Sequence, residues 1–426
     1  MSLVDILPNE IFLMIFDLCD VYTLLQLNRV CKRFYHLSNI TLNQKSNHLL
    51  VTNEMSEKFR ERCKLLLSSY ESKFITHYNW KYKINRVNYI KMLLENSPEN
   101  NTAIEIKKKK CLKMTKNTIS FYHYKTLTAF TRAENDVIWK SQISRTCNSQ
   151  FSSIACYNDI LISGHVDGSI RYWRFESQNN INNLQQLKTD SNVYGEHVSK
   201  IEATTKHIVS SSSNLIKIQK NTLEDDESAE ENETIYNGKK LIQSISLDPT
   251  GTNVAASTVE SLLIYDINKN YFSCEIMDKR INDNTCSQLL WDDTHTILML
   301  YKQCIKKMDI RTSEFVRTWN ASFPNKKCEL CCFSSDNLYS IITGTNSGTV
   351  LLWDQRSSDC IQTYSPNGVK PVYLYAMADN YVFSVEFDST FMYTITEGEG
   401  VLQFYFKNED DYNPNKERKK YFSKFF

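Results

Sequence analysis

Apolar residues in the first forty positions recur three and four apart. Leu7 and Pro8 open the run, and proline fits a helix only in its first turn, where its missing N–H costs nothing. Ile11, Ile15 and Leu18 then fall at helical spacing, with Phe12 and Phe16 widening the stripe. Thr23 offers a capping hydroxyl for a second helix, along which Leu24, Leu27, Val30, Cys31 and Phe34 continue the pattern. The spacing predicts three short helices over residues 1–45 with more apolar surface than so small a bundle can bury alone, so it needs a partner.

Residues 46–100 mix charge with helical spacing. Met55, Phe59, Cys63, Leu66 and Leu67 predict a helix of about four turns, followed by the aromatic knot Tyr78-Asn79-Trp80-Lys81. Pro98 and the polar run after it mark the end of this helical spacer.

From 101 to 406 the pattern changes to short β-rich runs separated by turn residues. A strand ending in a large residue, often followed by aspartate, recurs as Ile170–Trp173, Ile216–Gln219, Leu262–Tyr265, Ile305–Met308, Val350–Trp353 and Val401–Phe404, with Ile119–Tyr122 as a seventh unit. Neighbouring ends lie 43 to 51 residues apart, close to the period of a four-stranded propeller blade. A tight turn precedes several of these strands, as in Gly164-His165-Val166-Asp167-Gly168 and Gly344 to Gly348, where glycine supplies positive φ. The Asp248–Gly251 and Ser335–Asn337 turns sit one hairpin earlier. The fold class expected is therefore α plus all-β: a helical N-terminus, a spacer, then a closed β-propeller of seven blades that protects nearly all its strand edges. Residues 84–91 or 421–426 are the candidates for the strand that closes the ring, and 407–426 form a polar, basic tail. Two polar inserts, 178–183 and the acidic 224–233, read as loops, with Ser228 a phosphorylation candidate.

Composition narrows the function. The formal charge is +1, so no global field favours nucleic acid or membrane. Thirteen scattered cysteines, an odd number, suit a reducing compartment, cytoplasm or nucleus. The N-terminus lacks the basic segment of a signal peptide, and no stretch reaches the roughly 20 apolar residues of a membrane span.

Candidate chemistry is sparse. Cys328, Cys331 and Cys332 have CxxC spacing, but no second pair accompanies them and the run falls in an expected inner strand. Gly164–Gly168 is followed by no helix that could receive a phosphate. The histidines are unpaired and no serine stands in a nucleophile elbow. No catalytic constellation, metal site or cofactor is expected. Charge on one face is the better signal: the blade-to-blade connections carry Lys239-Lys240, Lys279-Arg280, Lys326-Lys327 and Lys370. Together they predict a basic ring that attracts an acidic or phosphorylated protein segment. The basic clusters at Lys107–Lys110 and Lys416–Lys420 are solvated charge runs or nuclear signals.

The opening stretch, LPNEIFLMIFDLCDVYTLLQLNRVCKRF, resembles the F-box, with Cys19 where leucine is more usual. That resemblance implies docking on a Skp1 adaptor, and through it on a cullin–RING ubiquitin ligase, with Leu7, Pro8, Ile11, Ile15, Phe16, Leu24, Val30 and Phe34 buried against the adaptor. The repeating units resemble WD40 repeats, most clearly Ser340 to Asp354, with Gln219 and Met308 replacing the usual tryptophan. Gly195-Glu196-His197 only approximates the Gly-His dipeptide of those repeats, and Gly164-His165 matches it in the wrong place. Together these features resemble the F-box/WD-repeat substrate receptors of SCF ligases. The Tyr78–Lys81 knot and the Phe387–Tyr393 run are similar to their dactylin branch. The alternative is a scaffold or trafficking protein whose N-terminal helices cap its own propeller, and exposure of the Pro8–Phe16 face separates the two readings.

Overall fold

A computed structural model describes residues 6–83, 85–90, 110–132, 142–158, 160–178, 181–191, 193–221, 233–277, 285–321, 328–365, 381–396 and 400–407. Among the described residues five helices come first: α1 (Asn9–Leu18), α2 (Val21–Leu27), α3 (Lys32–Ser46), α4 (Glu57–Arg62) and α5 (Tyr70–Tyr82). Pro8 stands at the N-cap of α1. The cap of α2 is Asp20, whose carboxylate accepts from the Thr23 N–H at 2.7 Å, so the expected cap at Thr23 is instead the donor. Residues 28–31 break the apolar run, and Cys31 caps α3.

The spacer differs from the predicted four-turn helix. The spacing of Met55 to Leu67 is helical, yet α4 stops at Arg62 and Cys63 turns extended. Tertiary partners pull the chain out: the Lys64 N–H goes to the Asp388 carboxylate at 3.2 Å, and the Leu67 N–H to Glu54 at 2.9 Å. Met55 and Leu66 are exposed as a result, while Phe59, Cys63 and Leu67 are buried. The aromatic knot, in contrast, is helical and forms the end of α5.

Seven four-stranded antiparallel sheets follow. The innermost strands of neighbouring blades touch, blade seven meeting blade one, except that blade six packs its inner strand on the second strand of blade five, and the ring closes around a channel. Apolar clusters fill the spaces between blades, such as Ile264, Trp291, Ile297 and Met299 between blades four and five. Six of the seven expected strand ends are third strands of blades. Ile119–Tyr122 is not: it belongs to the second strand of blade one (Thr118–His123), and the third is Thr126–Thr131. That strand escapes the pattern because Thr131 stands where Asp266, Asp309 and Asp354 end the third strands of other blades.

The last blade takes its outer strand from the spacer. Arg86–Ile90 pairs antiparallel with Gly400–Tyr405, from Arg86 opposite Tyr405 to Ile90 opposite Val401. The rival candidate, 421–426, lies outside the described residues. The first insert is not a loop at its ends: Ile170–Gln178 and Ile181–Asp190 form one long hairpin paired up to Gln178 opposite Ile181. Asparagine backbone pairs as well as any other there. The second insert lies outside the described residues, except Glu233, which opens a strand.

Recurring residues have local reasons. Asp248, Asp293, Asp336 and Asp388 each turn the chain between first and second strands by accepting two or three backbone N–H groups. The strand-end tryptophans reach back one strand, Trp353 to Thr343 at 3.0 Å and Trp173 to Ser163 at 2.8 Å. Ser163 in turn meets His165 at 3.0 Å, and burial pushes that imidazole down to about 4, so it stays neutral. Gly164 and Gly344 admit the next blade: a Cβ would lie 2.7 Å from Val198 in one case and 2.5 Å from Val382 in the other.

Asp336 offers a pH test. Burial pushes its carboxyl up to about 6 despite the backbone donors, and Oδ2 is buried without a partner. A folded value above the unfolded one means the native state holds more protons between about pH 4 and 6, so stability falls as pH rises through that window. Asp336→Asn keeps the Oδ1 acceptor and removes the titration. Its unfolding free energy relative to the parent should climb by about 2–3 kcal/mol from pH 4 to pH 6 and then level off. A constant difference across that range contradicts the assignment.

Candidate docking surfaces

The N-terminal bundle splits its apolar residues between two sides. Phe12, Phe16 and Leu24 are buried with Leu37, Leu42 and Phe74, the last supplied by α5. Phe34 closes this core by edge contacts with Phe12 and Phe16 at 5.1 and 5.3 Å between centroids. Arg33 ties the start of α1 down, donating to Asn9 at 2.7 Å and to the Leu7 carbonyl at 2.6 Å. On the other side of α1, Ile11, Met14, Ile15 and Leu18 remain exposed, Met14 by 68% and Leu18 by 90%. Val30 and Tyr35 are exposed too.

The eight residues expected at an adaptor contact therefore separate. Pro8, Ile11, Ile15 and Val30 are exposed, Leu7 and Phe34 half-buried, and Phe16 and Leu24 internal to the bundle. Leu18 stands in the predicted stripe beside Ile11 and Ile15, whereas periodicity does not mark Met14 and Tyr35 as exposed companions. The signal for Met14 and Leu18 is their distance from Phe12 and Phe16 around α1.

α5 and the chain before α4 fasten this bundle to one side of the ring. The face they use carries the turns between first and second strands, here the lower face. Trp80 donates to the Ser389 carbonyl at 3.0 Å and stacks on Phe406 at 3.7 Å. Asn79 donates to the Phe406 carbonyl at 2.6 Å, the Val51 N–H to Ser340 at 2.8 Å, and Arg356 to the His48 carbonyl at 2.8 Å. The two stretches that resemble the dactylin branch thus meet, with Trp80 against Phe387 and Ser389.

α4 lies at the lower mouth of the channel, below blades six, seven and one. Arg62 binds Glu386 at 3.1 Å, Ser334 at 3.2 Å and the Ser335 carbonyl at 2.5 Å. Lys113, from the inner strand of blade one, reaches the other oxygen of Glu386 at 3.9 Å. Burial would lower the Lys113 value, but Glu202 and Glu386 outweigh it and raise it.

On the upper face, Lys239 is exposed, while Lys240 pairs with Glu275 at 3.1 Å and Glu260 at 3.7 Å. Lys302 likewise pairs with Glu329 at 3.4 Å. Lys279, Arg280, Lys326, Lys327 and Lys370 lie outside the described residues, as do Lys107–Lys109 and the tail cluster. Lys110 is buried and donates to the Thr396 carbonyl at 3.3 Å.

The CxxC thiols diverge. Cys328 meets Ser347, Cys331 the Glu329 carbonyl and Cys332 the Val382 carbonyl, and burial pushes Cys331 up to about 12. Among the described residues no His, Cys, Asp or Glu group is placed to hold a metal, and no helix is long and apolar enough to cross a membrane.

A family profile described as F-box-like matches residues 4–43. No curated protein matched the sequence. Among solved structures, the crystal structure of the WD40 beta propeller domain of Doa1 superposes with a TM-score of 0.50 at 12% identity, covering 69% of this chain and 90% of that one. At that identity the likeness speaks for the fold alone. The chain carries an F-box-like domain at its N-terminus, followed by a seven-bladed β-propeller of WD40 type.

Proposed function

We propose that this chain is the substrate-recognition subunit of an SCF (Skp1–cullin–F-box) ubiquitin ligase, of the dactylin-like branch, working in the cytoplasm or nucleus. One observation carries the reading: the apolar face of α1, with Ile11, Met14, Ile15 and Leu18, is left uncovered by the propeller of the same chain. A helix that merely capped the ring would turn that face inward. F-box-like domains generally bind Skp1 and propellers bind proteins, so the uncovered face is assigned to the adaptor and the ring to the target. With the lower face occupied by the helices, the target is assigned to the upper face. Its basic connections, Lys239 among them, suit an acidic or phosphorylated segment. The contribution to ubiquitination, and so to proteasomal degradation, is proximity rather than acid–base chemistry.

The test is Ile11→Glu with Ile15→Glu in the full chain. Each buried aliphatic side chain is worth roughly 1.5–3 kcal/mol. The pair should therefore weaken adaptor binding at least about 100-fold, with the thermal midpoint unchanged because both residues are exposed. Undiminished co-purification with the adaptor refutes the receptor reading and favours a scaffold.

A further inference from the structure

The outer side of α1 is acidic as well as apolar. Ile11, Met14, Ile15 and Leu18 line it beside the exposed Glu10 and Asp17, and α1 carries no basic residue. Asp17 is 73% exposed, although Lys45 approaches it at 3.8 Å. Arg29 and Lys32 are exposed on either side of Val30, so the surface turns basic only beyond α1.

The described chain ends close to this bundle. Below blade seven the Phe406 N–H meets the Thr390 carbonyl at 2.9 Å, in a turn of the lower face. Trp80 and Asn79 of α5 hold Phe406 there. Phe74 packs with Phe12 and Phe16 behind α1 and precedes Asn79 on the same helix by about 7.5 Å along its axis. The residues after Lys407 therefore set out from the lower face, on the bundle's side of the ring. They lie outside the described residues, but their sequence complements α1. Beyond the acidic Glu409–Asp411, the basic Lys416, Arg418, Lys419 and Lys420 lead into Tyr421, Phe422, Phe425 and Phe426. The fifteen residues from Asn408 to Phe422 reach at most about 50 Å, several times the roughly 15 Å length of α1.

We propose that segment 408–426 docks its aromatic end on the outer side of α1 and covers it until a partner displaces it. The rings seat on Met14, Ile15 and Leu18, where thioether–aromatic contact adds to burial. The basic run lies beside Glu10 and Asp17, and like charge keeps it off Arg29 and Lys32. The contact stands apart from the receptor reading. Its regulatory consequence rests on that reading, since the surface assigned to the adaptor is then blocked in the free chain.

Hydroxyl-radical footprinting of the full chain tests the contact, with Met55 as internal reference. Met14 and Met55 are exposed by 68% and 64%, so they oxidise at equal rates if nothing further covers α1. Tethering holds the segment at roughly millimolar effective concentration. An affinity of about 0.1 mM, within reach of two buried aromatic rings, then slows Met14 about tenfold relative to Met55. Phe422→Ser with Phe425→Ser should restore equal rates, and Lys419→Glu with Lys420→Glu should restore them in part at low salt. Equal rates in the parent, or a slow Met14 in the parent and both variants alike, overturn the contact. Equal rates with tail-dependent binding to phosphatidylcholine–phosphatidylserine vesicles overturn it in favour of a membrane surface. Adaptor affinity is read separately and should rise about tenfold in the Phe422 and Phe425 variant. Unchanged affinity in a variant whose Met14 is released overturns the blocking role. Absence of adaptor binding in every form refutes the receptor reading instead, and the footprint alone then decides the contact.

Discussion

Replacing Arg132 with leucine should cost about 3–5 kcal/mol of stability, a large part of the 5–15 kcal/mol typical of a folded domain. Arg132 and Asp388 form an ion pair in which the side chains are 1% and 0% exposed. The guanidinium also donates to the carbonyls of Arg62 and Thr115, each at 2.7 Å, and of Lys116 at 3.3 Å. One side chain thus joins blade one, blade seven and the end of α4. Leucine would leave three carbonyls and a buried carboxylate without their partner. The carboxylate is the expensive part, because Asp388 also holds the Thr390 and Phe391 N–H groups and cannot swing to water. Adding Asp388→Asn keeps an oxygen for those donors and removes the charge, so it should recover a measurable share of the loss. Denaturant midpoints of the parent, the single variants and the double variant decide the matter. A double variant no more stable than Arg132→Leu would show that the charge is not what costs.

This junction explains what the sequence could and could not disclose. Third strands are legible because an aromatic residue and then aspartate end them, the aromatic reaching back to a hydroxyl as Trp353 does to Thr343. Blade one is misplaced for the converse reason: its third strand ends Phe130-Thr131 with no aspartate, and the residue after it, Arg132, meets Asp388, 256 residues away. α4 ends early because acceptors on the ring capture the Lys64 N–H, which no periodicity encodes. Apolar spacing finds the residues of the N-terminal bundle but not which are covered, since the cover for Phe16 includes Phe74 from α5. On the upper face, recurrence of basic pairs is visible, but the carboxylates that meet Lys240 are not, since Glu260 lies in the next hairpin turn and Glu275 in the outer strand of that blade.

Trp80→Ala should uncouple the helices from the ring at a cost of about 3–5 kcal/mol. The indole is fully buried, with Phe406 stacked at 3.7 Å and Tyr364 edge-on at 5.9 Å. Its own carbonyl receives the Tyr364 hydroxyl at 2.6 Å. Truncation opens a cavity between blades six and seven and leaves the Ser389 carbonyl unpaired. Trp80→Phe retains most of the packing and loses only the indole donor, so it should cost about 1–3 kcal/mol. The site is also where strand Arg86–Ile90 departs to close blade seven, so loosening α5 loosens the ring itself. Unfolding followed by tryptophan fluorescence and by limited proteolysis at the Arg86–Ile90 strand should therefore show the alanine variant opening there first. The exposed face of α1 is untouched, so adaptor binding should persist at temperatures below that opening. Ubiquitin transfer to a captured protein should fall, because proximity depends on a fixed distance between the two docking surfaces. An alanine variant with parental stability and an unchanged cleavage pattern would mean that the bundle and the propeller are held together by something other than this indole.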